Sequence, residues 1–534
     1  MNKSRRNFIL SAAAAVSAVF GFASARQLFN KKALPTANAR LGVNLAGIVD
    51  WSTEFPFVDL FKQSRAWFVE GKELANLGLK NSGLQIDAEG WVSQLPFGMV
   101  ASTIISSLDN GHFPSGAYVI LYEGEGEIKV PNYPYQSAKR DKSANTERLL
   151  VNLNGQKGAF QLDIIKTNPH NYIKNIRVIP KQFEATYQQN PWNTNFLSRW
   201  QGIACIRFMD FMATNNSPQV NWHDRPQPKD ASYASKGVPL ELMIDLVNRL
   251  NTEPWFCLPH QANDDYIKQF ASIVKASLNP HLRAWLEYSN EVWNGGFEQN
   301  AYAAKQGLRL KLAEKPWEAA WKYTAHRSVQ IFSIWQQVFG DSTHFVRVLA
   351  AQAAYSGVAE QVLSFEQAAK QADVLAIAPY MHFSIPPNAE DGITDKVVAN
   401  WSLDQLFAHL NNIVLPQCEA WISANKKVAD QYGLKLVAYE AGQHLAGAAG
   451  AENNEQLTQL FLKANADARM GELYTRYLSA WANNGGDLLC HYNSVGAWSK
   501  WGSWGLLQYY NDKPTPKFKA VIDWANAHGQ KMRL

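Results

Sequence analysis

Two glutamates lie at the ends of apolar, strand-like runs and could act as a pair. Glu291 follows Asn290 in "WLEYSNEVWNGG", residues 285–296, and Glu440 lies in "LKLVAYEAGQ", residues 434–443. A carboxylic acid that is held neutral can protonate a leaving oxygen, while an ionised carboxylate can attack or stabilise the carbon on the other side. The two runs therefore predict acid–base chemistry, provided that the fold brings both side chains to one cleft.

Such a pair works only if its surroundings push the two pKa values apart. An arginine beside Glu440 would keep that group ionised, and Arg207 in "IACIRFMDF" is the candidate. Apolar neighbours such as Trp293 would help to keep Glu291 protonated. Two carboxyl groups that differ in this way are what cleavage of a glycosidic bond requires.

The surrounding elements alternate between strand-like and helical patterns. The strand-like runs are 41–51, 203–211, 254–260, 282–291, 344–352, 373–380, 434–443 and 487–495. Helical spacing between them, as in "LELMIDLVNRL", indicates a parallel sheet, and eight repeats favour a (β/α)8 barrel. The alternative is an open, doubly wound sheet. It would usually have a glycine-rich phosphate loop after the first strand, and "GVNLAGIVDW" is not one.

One segment interrupts the alternation. Residues 81–185 contain short β-rich runs such as "SGAYVILYEGEGEIKV", divided by Gly, Pro and Asn. We expect an inserted, sandwich-like domain after the first barrel unit, with the barrel starting at 41–80 and resuming at 186–534. The insert could bind glycan or wall the cleft, and we favour the wall.

Polar residues that end the strands form the candidate site, because catalytic groups of such barrels lie at the carboxyl ends of the strands. They are Asp50, Arg207, Asp210, His260, Asn290, Glu291, Tyr380, Glu440, His491 and Tyr492.

The motifs "LEYSNE" and "VAYEAG" resemble the two glutamate strands of the clan A glycoside hydrolases, retaining (β/α)8 enzymes that include endoglucanases and endomannanases. The resemblance covers most of 41–80 and 186–530. It implies that Glu291 is the acid/base, that Glu440 is the nucleophile and that Asn290 contacts the sugar 2-hydroxyl. It further implies that three residues from other strands lie near the site: Arg207, His260 and Tyr380. Val292 follows the acid/base where many members have proline, which bears on the subfamily and the sugar.

Other candidate ligand sites were weighed. In "GAWSKWGSWG" the tryptophans are three apart, but glycine and serine favour a loop, so Trp498 and Trp501 are predicted to stack on sugar rings. "HQANDD", residues 260–265, fits no standard metal-ligand spacing, so neither a metal nor a cofactor is predicted. Without a GxSxG motif, a serine hydrolase is not favoured.

The first 25 residues have the composition of a signal peptide. "MNKSRRNFILSAAAAVSAVFGFASA" combines a basic start, an apolar stretch and small residues at its end, and "SRRNFI" resembles the twin-arginine export motif. We expect the mature chain to start near Arg26 or after Ala39, with 26–40 as a linker. The alternative is an uncleaved anchor. The predicted location is periplasmic or extracellular, in a bacterium.

Bulk composition limits the partners. The net charge is +5, and Lys3, Arg5 and Arg6 of the leader contribute three of those charges, which argues against nucleic acid and against a membrane once the leader is cleaved. The 19 Trp and 20 Tyr suit open clefts for amphipathic ligands. The four scattered cysteines predict buried free thiols.

Taken together, these features predict an exported retaining glycoside hydrolase that acts on a β-linked polysaccharide or oligosaccharide. Two alternatives stay open: an inactive carbohydrate-binding barrel, and a cell-envelope glucan transglycosylase that uses the same residues. Internal and terminal cleavage are equally compatible with the pattern.

Overall fold

The computed structural model describes residues 39–70, 83–108, 110–137 and 146–533. The predicted leader, 1–25, lies outside the described residues, as does the linker 26–40 except for its last two positions. Among the described residues, no helix combines the length and the apolarity that a membrane span requires.

The strands, in chain order, are β1 (Arg40–Asn44), β2 (Phe68–Glu70), β3 (Gln85–Ile86), β4 (Val92–Gln94), β5 (Val100–Ser106), β6 (Gly116–Glu123), β7 (Gly126–Lys129), β8 (Tyr135–Ser137), β9 (Thr146–Leu153), β10 (Phe160–Thr167), β11 (Lys174–Pro180), β12 (Cys205–Arg207), β13 (Glu253–Leu258), β14 (Ala284–Tyr288), β15 (Phe345–Ala350), β16 (Val374–Ile377), β17 (Met381–Ile385), β18 (Lys435–Ala438), β19 (Gln443–Gly447) and β20 (Gly486–His491).

The helices are α1 (Thr194–Trp200), α2 (Leu240–Leu250), α3 (Asp264–Ser277), α4 (Glu298–Arg309), α5 (Pro316–Phe339), α6 (Gly357–Ser364), α7 (Asp395–Val398), α8 (Leu403–His409), α9 (Leu415–Gln431), α10 (Glu455–Ala466), α11 (Ala468–Asn483) and α12 (Pro516–Ala527). In α2 the apolar residues recur every three or four positions, and this face is buried against the barrel.

Eight parallel strands close the predicted barrel in the order β1-β12-β13-β14-β15-β16-β18-β20. Each of these strands lies within one of the eight strand-like runs of the sequence or overlaps it, so the (β/α)8 prediction is confirmed. We refer to these strands below as the first to eighth barrel strands. Their outer faces and the surrounding helices form one large apolar core.

A second apolar cluster fills the inside of the barrel. It contains the stacked indoles of Trp255 and Trp285, whose ring centroids are 5.1 Å apart, together with other buried side chains, most of which are Val or Cys. Three cysteines belong to it, and all four cysteines are buried free thiols, as predicted. A packed interior means that a ligand can reach the barrel only at its ends.

Between the first and second barrel strands lie two four-stranded sheets with antiparallel pairing, β2-β5-β10-β7 and β11-β6-β9-β8. A third apolar cluster includes side chains of both sheets. The strand β2 precedes the predicted start of the insert at residue 81. The predicted boundaries of the insert stay a prediction.

The chain forms a further element where the sixth and seventh barrel strands end. Strands β17 and β19 follow them and pair in parallel as a separate two-stranded sheet. Tyr380 and Glu440 lie in the short links between the barrel strands and this sheet, so both links are fixed on both sides.

Candidate active site

Arg207, the last residue of the second barrel strand, is at the centre of the candidate site and is fully buried. Its guanidinium donates two hydrogen bonds to Glu287, at 2.9 and 3.1 Å. It also donates to Asn44 at 3.0 Å, to Glu440 at 3.0 Å and to Asn290 at 2.7 Å. We call these five residues the arginine cluster. The cluster joins the ends of the first, second, fourth and seventh barrel strands.

Glu440 is held from two sides and is 4% exposed. Its Oε1 accepts from Arg207, and its Oε2 accepts from the hydroxyl of Tyr380 at 2.8 Å. These two donors come from the second and sixth barrel strands, so the position of this carboxylate depends on closure of the barrel.

Glu291 is 5% exposed and has no cation as a hydrogen-bond partner among the described residues. Its Oε1 accepts from the hydroxyl of Tyr439 at 3.1 Å, and its Oε2 accepts from the Asn294 amide at 3.0 Å. The backbone has φ of 57° at Ser289 and 43° at Glu291. Non-glycine residues seldom adopt this left-handed conformation, and strain of this kind concentrates at functional sites.

Burial raises the pKa of both glutamates. Arg207 and the Tyr380 hydroxyl act in the opposite direction on Glu440, whereas the negative charge of Glu291 raises the pKa of Glu440 further. The ion pair expected from the sequence is present, but burial outweighs it. The expectation that Arg207 by itself keeps Glu440 ionised is therefore corrected: the two carboxyl groups titrate together.

A count of charges shows where a proton should lie. Glu287, Glu291 and Glu440 are three buried carboxyl groups, and Arg207 is the cation that contacts two of them. Neighbouring carboxylates disfavour joint ionisation, so the pair of Glu291 and Glu440 retains a proton. Burial raises the pKa of Glu440 to about 8, but Arg207 contacts Glu440 and no cation contacts Glu291 within the described chain, so the contacts favour Glu291 as the place for that proton.

Asn290 is positioned by both ends of its amide. Its Oδ1 accepts from Arg207, and its Nδ2 donates to Asn215 at 3.0 Å. Gln299 of α4 donates to its backbone carbonyl at 2.8 Å. The residue directly before the candidate acid/base therefore cannot rotate freely.

His260, which was predicted to contact the sugar, does not belong to the arginine cluster. His260 is buried with its ring 5.3 Å from Tyr302, and burial lowers its pKa to about 4. It makes no hydrogen bond with either glutamate in the part of the chain that is described. The predicted contact of His260 with sugar stays a prediction.

The loop after the eighth barrel strand contributes a tryptophan other than the two predicted. The indole N–H of Trp498 donates to the carbonyl of Gly505 within the loop, at 3.1 Å. Trp501 is partly exposed, with the Lys500 amine 4.9 Å from its ring. Trp504 instead lies beside Tyr492, at 6.0 Å between ring centroids, and donates to His444. His444 packs on Tyr380 at 6.2 Å, so Trp504 is the tryptophan of this loop that reaches the surroundings of Glu440.

Three residues of the site were missed from the sequence. Asn44 is the polar residue that ends the first barrel strand, whereas Asp50, the expected one, pairs with Arg65 at 2.6 Å. Glu287 and Tyr439 were hidden inside apolar runs. A charged residue in the middle of "AWLEY" was the available signal for Glu287, since a buried carboxylate needs a partner.

No protein-family model matches the chain, and no curated protein matches it. Among solved structures, similar ones are a Fusarium oxysporum 4-O-α-L-rhamnosyl-β-D-glucuronidase, at 12% identity and TM-score 0.37 over 60% of each chain, and a Cellulomonas fimi endo-β-1,4-mannanase double mutant, at 12% and 0.31 over 54% of this chain and 57% of that one. A Humicola insolens GH1 β-glucosidase has 12% identity and TM-score 0.33 over 62% and 86%.

This chain thus spans less than two thirds of the first two of these structures. Likeness at such low identity and TM-score has no bearing on the reaction. The (β/α)8 fold rests on the closed strand order of this chain itself.

Proposed function

We propose that the protein is a retaining glycoside hydrolase that cleaves a β-linked polysaccharide or oligosaccharide. The observation that supports this most is the arginine cluster. It fixes Glu440 and the residue before Glu291 at the same end of one barrel, and only Glu440 of the two glutamates contacts the cation. This difference suits a nucleophile that must be negative and an acid that must keep its proton.

In the first step Glu440 attacks the anomeric carbon. The bond from that carbon to the leaving sugar oxygen breaks as Glu291 transfers its proton to that oxygen. The product is an ester between Glu440 and the remaining sugar, and Glu291 is left as a carboxylate. Arg207 and Tyr380 orient Glu440 for the attack through their hydrogen bonds.

In the second step water replaces Glu440 at the anomeric carbon. Glu291 takes a proton from the water as its oxygen bonds to the carbon, and the ester bond breaks to restore the Glu440 carboxylate. Two displacements on the same carbon return the original β configuration.

Azide tests the two roles separately. Glu440→Ala should abolish turnover, and azide should then enter from the vacated side and give a glycosyl azide of inverted configuration. Glu291→Ala, assayed with an aryl glycoside whose leaving group needs no proton, should instead give a glycosyl azide of retained configuration. Proton NMR of the anomeric centre distinguishes the products. Glu298→Ala, which removes an exposed glutamate at the start of α4, seven residues after Glu291, is the matched control and should keep full activity.

The assay panel is β-glucans, mannans, xylans and galactans with matching aryl glycosides. Full hydrolytic activity of Glu440→Ala would contradict the proposal. Binding of a glycan without turnover by the wild type would indicate a carbohydrate-binding barrel. Sugar transfer to a glycan acceptor in preference to water would indicate a transglycosylase.

We further propose that the two antiparallel sheets form a wall beside the cleft. Asp50 lies in the loop after the first barrel strand. Its carbonyl accepts from Ser107 at the end of β5, and its side chain pairs with Arg65. His112 stacks on Tyr509 in the segment after the eighth. Both segments lie at the carboxyl end of the barrel, where substrate would enter.

Export to the periplasm or the exterior is also proposed, on the composition of residues 1–25. Cells that express the full chain should release it into the periplasmic fraction with a shortened N-terminus. Replacing both Arg5 and Arg6 with lysine should retain the protein in the cytoplasm if the twin-arginine route is used, and unchanged export would contradict that route.

A further inference from the structure

A directed chain of hydrogen bonds runs from Trp293 through Tyr439, the residue after the seventh barrel strand, to Glu291. The indole N–H of Trp293 is 3.3 Å from the hydroxyl oxygen of Tyr439, which is 3.1 Å from Glu291 Oε1. An indole nitrogen can only donate, so Tyr439 accepts from Trp293. The single hydroxyl hydrogen of Tyr439 is thereby left for Glu291.

The second oxygen of Glu291 has a donor of equally fixed direction. Asn294 Nδ2 is 3.0 Å from Glu291 Oε2, and Asn294 Oδ1 accepts from the backbone N–H of Gly296 at 3.0 Å. A flipped amide would lose both contacts. Both oxygens of Glu291 therefore face neutral donors, and neither donor can turn into an acceptor without breaking another hydrogen bond.

Tyr439 itself cannot move. Its ring is fully buried inside the barrel, with the Arg207 guanidinium 5.0 Å from the ring centroid, and its carbonyl accepts from Asn44 at 2.9 Å. Burial raises the pKa of Tyr439, so its hydroxyl stays protonated and able to donate. Phenylalanine would fill the same space and lose only the hydroxyl.

We propose that Tyr439 is a positioning residue whose hydroxyl sets the proton affinity of Glu291, the residue assigned above as acid/base. The proposal rests on that assignment for its meaning in catalysis, but the proton affinity can be measured without it. A donor to a carboxylate favours the charged form, so Tyr439 opposes the effect of burial on Glu291. Without this hydroxyl, Glu291 would hold its proton too firmly to act as a base.

Several other groups act on Glu291 and must be considered. The charged and titratable ones are Arg207 of β12, Glu287 of β14, Tyr380 after β16 and Glu440 after β18. Burial raises the pKa of Glu291, and the hydrogen bonds from Asn294 and then Tyr439 lower it. Tyr439→Phe leaves all of these groups in place, so a change in titration can be assigned to the hydroxyl.

The experiment is an infrared titration of the full chain, with the carboxyl band of Glu291 identified by its absence in Glu291→Gln. In Tyr439→Phe the pKa of Glu291 should rise by about one pH unit, as expected for the loss of one hydrogen bond to a charged group. Tyr118→Phe is the matched control. It removes a buried hydroxyl that donates to the Pro114 carbonyl in the inserted sheets, and it should leave the band unchanged.

Kinetics supply the second readout. Because Tyr439→Phe keeps Glu291 protonated to higher pH, the alkaline limb of the kcat/KM profile should move upward by the same amount. A uniform loss of activity at all pH values, or an unshifted infrared band, would overturn the proposed role of Tyr439. If the band shifts in Tyr439→Phe while the wild type hydrolyses no glycoside, the result would support this role of Tyr439 and count against the proposed function alone.

Discussion

All five N–H groups of Arg207 are used within the protein. One arginine has five such donors, and each of them has an acceptor in the arginine cluster. Arg207 is also fully buried, so no donor remains for a sugar. The resemblance places Arg207 near the sugar. In our proposal the effect of Arg207 on the substrate is indirect, because it orients Glu440 and Asn290.

Replacing Arg207 tests this role at the residue scale. Arg207→Met leaves Glu287 and Glu440 buried without a cation, and removing one partner of a buried pair costs about 3–5 kcal/mol. Arg207→Lys restores the charge but not the planar fork, so we expect an intermediate loss of stability. Urea unfolding measures both.

The control is Arg283→Met, which removes a half-exposed partner of Glu253 and should cost no more than about 1 kcal/mol. Equal losses for the buried and the exposed arginine would show that the cluster does not stabilise the barrel.

At the scale of elements, the first barrel strand closes the barrel between the eighth and the second. Gly42 pairs with Cys490 on one side and with Cys205 on the other. A Cβ built on Gly42 would be 2.6 Å from the sulfur of Cys490 and 3.0 Å from the carbonyl oxygen of Cys205. The strand therefore needs a residue without a side chain at this point.

Gly42→Ala should destabilise the protein by about 1–3 kcal/mol, the usual cost of overpacking a core. Cys490→Ala removes the nearest atom, so the double variant should be more stable than the sum of the single changes predicts. A double-mutant cycle in urea measures this coupling. Strict additivity would mean that closure of the barrel does not depend on this contact. The control is Gly295→Ala, because a Cβ added there would meet nothing nearer than 3.9 Å.

The links after the sixth and seventh barrel strands show how elements position single residues. Tyr380 and Glu440 each lie between a barrel strand and a strand of the small β17–β19 sheet. The sequence shows only long apolar runs here, because both strands on either side of each link are buried. Pairing between β17 and β19, which are distant in the chain, decides where each run leaves the barrel.

At the scale of the whole molecule, the site exists only because the barrel is closed. The first, second and seventh barrel strands contribute Asn44, Arg207 and Glu440. The eighth barrel strand, β20, lies between the seventh and the first and closes the barrel. The two antiparallel sheets contact the segments after the first and eighth strands. The carboxyl end of the barrel is therefore contacted by parts of the chain that are distant in sequence.

The sequence by itself determined the architecture. Eight buried strands alternate with helices, and this pattern is local: "LELMIDLVNRL" has one apolar face, and the helix extends over Leu240–Leu250 as the spacing predicts. It also located the two glutamates near strand ends, since a mainly apolar, strand-like run that closes on polar residues is visible without a structure. The roles of these glutamates remain proposals.

Only the tertiary structure decided which side chains hold the glutamates. Glu287 and Tyr439 lie within apolar runs, and nothing in their sequence neighbours shows that Arg207 or Glu291 faces them. The helix Glu298–Arg309 and the β17–β19 sheet were likewise not predicted. The physical reason is that hydrophobic periodicity records burial, which is local, whereas a buried hydrogen bond depends on partners that closure of the barrel brings together from far along the chain.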